Sequence, residues 1–167
     1  MAVLQPREIL RALGAHGVRY VVIGNLGGTL YGSPLVTSDV DICPARDEPN
    51  LVALAAALNE MGARIRTADV PDGLPFSCDA TFLRQITMVN LTTRFGDVDL
   101  SFEPSGTGGY EDLSRRAVRL DLRDGLSTHL ASLEDIIRSK EAANREKDRL
   151  ALPTLHLLLQ KIRERKP

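Results

Sequence analysis

The sequence predicts an α/β fold in which a small mixed twisted sheet is flanked by helices and a helical portion ends the chain. Three observations favour this class. Hydrophobic residues make up 43% of the 167 positions, enough for a substantial core. Residues 18–43 read as strand, helix and strand, and the last part of the chain has helical periodicity. We expect a single compact unit, with a core at residues 1–131 and a C-terminal helical portion at residues 132–167.

The chain opens with a predicted helix and a buried strand. Within Pro6–His16, the apolar residues Ile9, Leu10 and Leu13 recur at helical spacing. The apolar run Val18–Ile23 then predicts a buried strand.

A short helix links this strand to the next. Gly24 and Asn25 begin a helix that continues to about Tyr31, and Ser38–Cys43 forms the following strand. The connection is short for a parallel crossover, so we expect the two strands to be adjacent and antiparallel or mixed.

The middle of the chain begins with an amphipathic helix. Leu51, Leu54 and Leu58 share one face of the helix predicted at Glu48–Met61, and residues 63–66 form a short strand. Residues 69–79 are irregular, because two prolines and a glycine interrupt them. They predict either a substrate-covering loop or an ordinary surface loop.

A hairpin follows. Its strands are predicted at Ile86–Leu91 and Val98–Phe102, with a turn near Gly96. The second strand begins beside Asp97 and contains Asp99, two carboxylates on the same face.

The rest of the chain is predicted to contain two short strands and three helices. Ser132 begins a capping-box pattern, and Pro153 is expected to kink or divide the last helix. In order, these elements are a helix at Tyr110–Arg115, strands at Val118–Leu122 and Thr128–Leu130, and helices at Ser132–Asn144 and Glu146–Arg165.

Composition excludes several classes of protein. The net charge of -1 lacks the basic excess of a general nucleic-acid binder, so no DNA partner is expected. Cys43 and Cys78 form neither a zinc motif nor a disulfide framework, which fits a reducing cytoplasm. The sequence shows neither a secretion signal nor an apolar stretch that could span a bilayer, so we expect a cytoplasmic protein without a membrane partner.

The triplet Asp39-Val40-Asp41 is the strongest chemical signal. In a strand, residues two apart point the same way, so the carboxylates of Asp39 and Asp41 share a face. Two such carboxylates repel each other unless a cation lies between them. Mg²⁺ is the commonest such cation beside a nucleoside triphosphate, with Mn²⁺ as the alternative, and this points to metal-dependent phosphoryl chemistry.

Two segments resemble a known family. The segment VVIGNLGGTLYGSPLVTSDVDIC resembles the start of the DNA-polymerase-β-like nucleotidyltransferase domain, in which an apolar strand, a Gly-Gly or Gly-Ser turn, a short helix and Asp-x-Asp follow one another. The segment LEDIIRSKEAANREKDRLALPTL resembles the AbiEii/MenT-type branch, the nucleotidyltransferase toxins of bacterial toxin-antitoxin systems.

The resemblance implies a nucleotidyltransferase fold and an enzyme that moves a nucleoside monophosphate from a nucleoside triphosphate to an acceptor hydroxyl. For a toxin-like enzyme the acceptor is the 3′ end of tRNA, and a cognate antitoxin is a further partner. The implied catalytic residues are Asp39, Asp41, Asp99 and Lys140, of which the three aspartates hold the metal, and the implied nucleotide-binding residues are Gly24, Asn25, Ser38, Lys140, Arg145 and Asp148.

Some assignments have alternatives. Asp97 is the rival of Asp99 as the third carboxylate. Asp148 is a candidate to orient Lys140, whereas spacing alone would make Lys140 a surface lysine paired with Glu134 or Glu141.

The chain also departs from the family pattern. Asn25 stands where Gly or Ser is usual, relatives often carry Arg at the positions of Leu35 and Ser38, and Ala151 replaces a common Asp. Two other functions therefore stay open. One is nucleotidyl transfer to a small molecule of the antibiotic type or to a protein, and the other is a binding protein that has lost turnover.

Overall fold

A seven-stranded mixed sheet forms the centre of the fold, which we describe from a computed structural model covering residues 2–165. The strands are β1 (Tyr20–Val22), β2 (Asp39–Pro44), β3 (Arg64–Ile65), β4 (Met88–Thr93), β5 (Gly96–Ser101), β6 (Val118–Asp121) and β7 (Ser127–Leu130). Their order across the sheet is β3-β4-β5-β2-β1-β7-β6. The predicted α/β class is confirmed, and residues 166 and 167 of the predicted helical portion lie outside the described range.

Seven helices flank this sheet in the described residues. They are α1 (Pro6–Ala15), α2 (Gly24–Leu30), α3 (Glu48–Glu60), α4 (Ala80–Gln85), α5 (Gly109–Ser114), α6 (Leu133–Ala143) and α7 (Glu146–Arg165). None of these helices combines the length and hydrophobicity that a bilayer crossing requires.

The pairing of β1 and β2 is antiparallel, one of the two arrangements that the short connection through α2 left open. On its other edge β2 pairs with β5 in parallel, so Asp41 lies opposite Asp99 and Asp39 opposite Asp97. The predicted hairpin is also present, since β4 and β5 are antiparallel and Gly96 pairs with Thr93 across a two-residue turn.

Apolar side chains alternate between two cores on opposite faces of the sheet. Val22 and Ile42 face the larger core, which α1 and α3 cover. Their neighbours Val21 and Cys43 face a second core, to which α6 and α7 contribute. Because Asp39 and Asp41 have the parity of Cys43, the carboxylates lie on the α6 and α7 side.

Close approach of α2 to the C-terminal helices depends on two glycines. A Cβ on Gly27 would lie 2.9 Å from Cδ1 of Ile136 in α6, and one on Gly28 would lie 3.1 Å from Cδ2 of Leu155 in α7.

The predicted boundary after residue 131 falls between β7 and α6, and the division of the chain there stays a prediction.

Two elements differ from the sequence prediction. Helix α4 was not predicted; it begins where the carboxylate of Asp79 accepts a hydrogen bond from the backbone N–H of Phe82. Helix α7 continues through Pro153 and is not divided there. The second core buries Ala151 and Leu155 on both sides of this proline, and this packing stabilises the helix despite the missing N–H donor.

Candidate active site

Three of the predicted carboxylates converge where β2 and β5 run side by side. Asp39, Asp41 and Asp99 each offer an oxygen, and these oxygens all lie within 4.8 Å of one another. The parallel register causes this convergence, because it sets Asp99 directly opposite Asp41 on the same face of the sheet. A set of carboxylate oxygens at this spacing suits a hard divalent cation such as Mg²⁺ or Mn²⁺.

The electrostatics of the cluster also fit a cation. Burial, followed by repulsion from Asp39 and Asp99, raises the pKa of Asp41 to about 7, although Lys147 and Lys140 oppose this shift. Burial likewise raises the pKa of Asp99 to about 6, against the opposing charge of Arg66. Without a cation, these carboxylates therefore hold protons more readily than isolated aspartates do.

Gly24 leaves the space that the Asp41 carboxylate fills. It has a positive φ of 66°, and a Cβ built on it would lie only 2.2 Å from Oδ2 of Asp41. Only glycine fits both the backbone conformation and the contact. The neighbouring Asn25 has a buried Oδ1 without a hydrogen-bond partner in the described residues, and the predicted Ser38 is exposed at the same opening.

The carboxylates open into a cleft of about 480 Å³, lined on one side by β4 and β5 and on the other by α6 and the start of α7. The cleft includes the predicted residues Gly24, Asn25, Ser38, Asp39, Asp41, Asp99, Lys140 and Arg145. No residue of the 69–79 loop lines it. The expectation of a substrate-covering loop is therefore not supported. Leu74 of this loop instead exchanges two backbone hydrogen bonds with Ile65 of β3.

Lys140 is not the surface lysine that spacing alone would predict. Its side chain is buried in the cleft wall, with only 7% of the residue exposed, and its Nζ lies 3.3 Å from Oδ1 of Asp148. The two glutamates proposed as alternative partners instead pair with Arg163 and His156.

Asp148 requires a correction, because it is fully buried and does not line the cleft. Its carboxylate accepts hydrogen bonds from Lys140 and from Nε of Arg145, the latter at 2.7 Å. A direct contact with a nucleotide is therefore wrong for Asp148. The contact with Lys140 fits the alternative prediction, in which Asp148 orients Lys140, and Asp148 binds Arg145 as well.

Lys147 and Arg66 are cleft residues that sequence reasoning did not assign. Lys147 lies in the same segment as Arg145 and Asp148, so its position in the second motif was the available signal. Arg66 has no such signal, because it follows the edge strand β3 and lies outside both sequence motifs. Its guanidinium binds both Asp97 and Asp99. Of these two carboxylates, Asp99 belongs to the three-carboxylate cluster and Asp97 does not.

The departures from the family pattern have different structural settings. Ala151 packs in the second core, where an aspartate would be surrounded by apolar side chains. Leu35 packs at the edge of that core and does not line the cleft. Ser38 does line the cleft but carries no charge.

Known proteins resemble this chain in fold, whereas its sequence matches no protein-family profile and no curated protein. A proposed nucleotidyltransferase of Thermotoga maritima is 17% identical with a TM-score of 0.56, and the match covers 98% of each chain. The lincomycin-bound lincosamide antibiotic adenylyltransferase LnuA is 16% identical with a TM-score of 0.60, and the match covers 93% of this chain and 98% of LnuA.

At these identities the likeness establishes the architecture, and the AbiEii/MenT-type branch stays a prediction. The chain has the nucleotidyltransferase fold that its first motif implied.

Proposed function

We propose that this protein transfers a nucleoside monophosphate from a nucleoside triphosphate to an acceptor hydroxyl, with release of pyrophosphate. The observation that supports the proposal most strongly is the convergence of Asp39, Asp41 and Asp99 within 4.8 Å at the cleft of a nucleotidyltransferase fold. These three carboxylates would hold Mg²⁺ or Mn²⁺. Such an ion neutralises phosphate charge and favours in-line displacement at the α-phosphorus.

The charges on the two cleft walls suggest different functions: one wall would bind the triphosphate and the other the acceptor. Lys140 lies on α6, Arg145 in the link between the helices and Lys147 at the start of α7, and their positive charge suits the triphosphate. Gly24 and Asn25 border the same cleft, and the Oδ1 of Asn25 is buried there without a hydrogen-bond partner in the described residues. Asp99 lies on the β4 and β5 side, where it would receive the proton of the acceptor hydroxyl.

The resemblance to toxin nucleotidyltransferases makes the 3′ end of tRNA the first acceptor to test, with an antitoxin as the regulatory partner. An RNA acceptor requires cations that contact its phosphates. Among residues 2–165, the β4 and β5 side of the cleft offers only Arg66, and two carboxylates already balance its charge.

A small-molecule acceptor is the second candidate, and the charge of the same wall favours it. Glu103 is exposed there without an ion pair in the described residues, beside the polar side chains of Asn90 and Ser101. This wall suits a neutral or cationic hydroxyl compound. LnuA, whose fold is similar, is an adenylyltransferase of a lincosamide antibiotic.

The decisive experiment measures the transfer of label from each of the four α-labelled nucleoside triphosphates with Mg²⁺ or Mn²⁺. The acceptors are total tRNA, a panel of hydroxylated antibiotics and a protein extract. Wild type is compared with Asp39→Asn and Asp41→Asn, and with Asp69→Asn, which removes an equal charge from an exposed position outside the cleft. We expect transfer by wild type and Asp69→Asn only.

Binding is measured in parallel through the melting temperature. A competent site is stabilised by the metal–nucleotide complex, because ligand binding to the native state raises its stability. Stabilisation without transfer to any acceptor class would favour a binding protein that has lost turnover. If the metal–nucleotide complex does not stabilise the protein and no acceptor is labelled, the proposal is contradicted.

A further inference from the structure

Arg66 joins two carboxylates at the acceptor side of the candidate site. Its Nη1 lies 2.8 Å from Oδ2 of Asp97, and its Nη2 donates to both carboxylate oxygens of Asp99, at 2.8 and 3.1 Å. The backbone N–H of Arg66 donates to the carbonyl of Asn90 at 2.9 Å, which fixes the start of the side chain beside β4.

The geometry is specific to arginine. A guanidinium is planar and offers several N–H donors in a fixed arrangement, so it can hold two carboxylates at once, whereas a lysine ammonium is a point charge. Asp97 and Asp99 are two residues apart on one strand face, which is the spacing this fork spans. Since Asp97 lies outside the three-carboxylate cluster, its structural part is to anchor Arg66.

The charge of Arg66 has a cost for cation binding. A positive group bound to Asp99 repels a divalent ion that shares this carboxylate. If the site only had to bind a cation tightly, a neutral residue at position 66 would serve better. The contacts that Arg66 does make fix the direction of the Asp99 carboxylate, and outer partners of this kind orient metal ligands in other proteins.

We propose that Arg66 is a positioning residue for nucleotidyl transfer: anchored by Asp97, it holds the Asp99 carboxylate toward the acceptor hydroxyl, while it weakens cation binding at the same site. This inference rests on the proposed nucleotidyltransferase function. It concerns the transfer step, so it makes different predictions for turnover and for cation affinity.

The test compares wild type with Arg66→Gln and Arg66→Lys, and uses Arg64→Gln as the matched control. Arg64 lies two residues earlier on the same edge, and its guanidinium donates only to the backbone carbonyls of Asp72 and Gly73 among the described residues. Mn²⁺ affinity without nucleotide is measured from the electron paramagnetic resonance signal of free Mn²⁺. Turnover gives kcat and KM with the triphosphate and acceptor that wild type uses.

We expect Arg66→Gln to bind Mn²⁺ about threefold to tenfold more tightly, because a repelling charge is removed. Its kcat should fall by about 10-fold to 100-fold, the usual effect of losing an outer partner of a metal ligand, with little change in KM for the triphosphate. Arg66→Lys should return Mn²⁺ affinity toward wild type without restoring kcat, because a point charge cannot hold both carboxylates. Arg64→Gln should match wild type in both.

A second comparison examines the anchor. The kcat of the Arg66→Gln, Asp97→Asn double variant should equal that of Arg66→Gln alone, because Asp97 acts through Arg66 and neighbouring effects of this kind are not additive. A further large fall in the double variant would contradict the anchoring role.

Other outcomes overturn the inference. Weaker Mn²⁺ binding together with lower kcat in Arg66→Gln would mean that Arg66 merely maintains the local structure. An unchanged kcat would mean that Asp99 needs no orientation. If wild type itself transfers no nucleotide, the proposed function fails, and that result is distinct from a wild-type enzyme whose Arg66 variants transfer equally well.

Discussion

Gly24 lies directly against Asp41, so closely that a Cβ on Gly24 would be 2.2 Å from Oδ2 of the Asp41 carboxylate. The glycine begins α2 and the aspartate lies on β2, so the contact couples the first turn of the helix to the centre of the carboxylate cluster. This relationship explains why the first motif combines a glycine after an apolar strand with an aspartate on the next one.

Gly24→Ala should therefore damage the site as well as the backbone. Alanine at a positive φ costs roughly 1–2 kcal/mol, and its Cβ must also displace the Asp41 carboxylate. We expect Mn²⁺ affinity to fall by about tenfold or more, the scale seen when the groups that orient a metal ligand are lost. Equilibrium Mn²⁺ titration and thermal unfolding of the metal-free protein measure the two effects.

Gly62→Ala is the matched control. Gly62 has a φ of 67°, but a Cβ there would have no neighbouring atom within 4 Å. This variant should lose similar backbone stability and keep the Mn²⁺ affinity of wild type. Equal losses of affinity in both variants would show that backbone strain, and not the contact with Asp41, controls the site.

Asp41→Asn should stabilise the metal-free protein at alkaline pH. The pKa of Asp41 is about 7 in the folded protein, against an ordinary value of 3.8, so its contribution to stability is present below about pH 4 and lost as the pH rises through 7. Asparagine removes this penalty. At pH 8 with a chelator we expect a melting temperature about 3 °C or more above wild type, a shift of about 1 kcal/mol for a chain of this size.

The difference should narrow as the pH falls from 8 and close below about pH 4, where Asp41 holds a proton in both the folded and the unfolded wild type. The measurement is the melting temperature of both proteins from about pH 4 to 8. Asp69→Asn, which changes an exposed carboxylate outside the cleft, should follow wild type throughout. An Asp41→Asn protein less stable than wild type at pH 8 would mean that burial and repulsion do not destabilise the charged Asp41 carboxylate.

Much of the first motif was predictable because its parts are local in the chain. The strand β1, the turn at Gly24 and the Asp39–Asp41 pair lie within a short segment. The short connection also predicted that β1 and β2 are neighbours, and antiparallel pairing was one of the two arrangements it left open. Lys140 needed the family resemblance, since helical spacing alone favoured a surface ion pair.

The sequence could not separate Asp97 from Asp99 by periodicity, because both have the same parity on one strand. The register between β2 and β5 supplies the difference, and that register is a tertiary property. The role of Arg66 could not be predicted for the same reason. Its contact with Asp99 spans 33 residues and depends on the pairing of β3, β4 and β5. The expectation for Asp148 failed because burial, which sequence position does not reveal, removes it from the cleft.

Asp148→Asn should destabilise the protein strongly. Burial alone would raise the pKa of Asp148, but hydrogen bonds from Arg145 and the charge of Lys140 lower it, so the buried group is a carboxylate with two cationic partners. Asparagine leaves the ammonium of Lys140 buried without a counter-charge. Loss of one partner from a buried ion pair costs about 3–5 kcal/mol, which urea unfolding would detect.

The control for this prediction is Asp121→Asn. Asp121 pairs with Arg119 at 3.0 Å, but both side chains are well exposed, so the loss should stay below about 1 kcal/mol. Lys140→Met should also recover part of the stability when it is combined with Asp148→Asn, because it removes the unpaired charge. A purely additive double variant would contradict the pairing.

Two glycines within helices should respond to alanine in opposite directions. Gly14 lies in α1, where a Cβ would have no neighbouring atom within 4 Å, so Gly14→Ala should stabilise the protein by about 0.5 kcal/mol through helix propensity.

Gly27 lies in α2, where the same Cβ would meet Cδ1 of Ile136 at 2.9 Å. Because both substitutions add one methyl group at a helical position, the difference in their free energies of unfolding isolates the contact between α2 and α6. Overpacking of this kind costs about 1–3 kcal/mol, so Gly27→Ala should be destabilising despite its better propensity. If urea unfolding shows that Gly27→Ala stabilises the protein as Gly14→Ala does, then the end of the Ile136 side chain moves aside at little cost, and the packing of α2 on α6 does not require glycine at position 27.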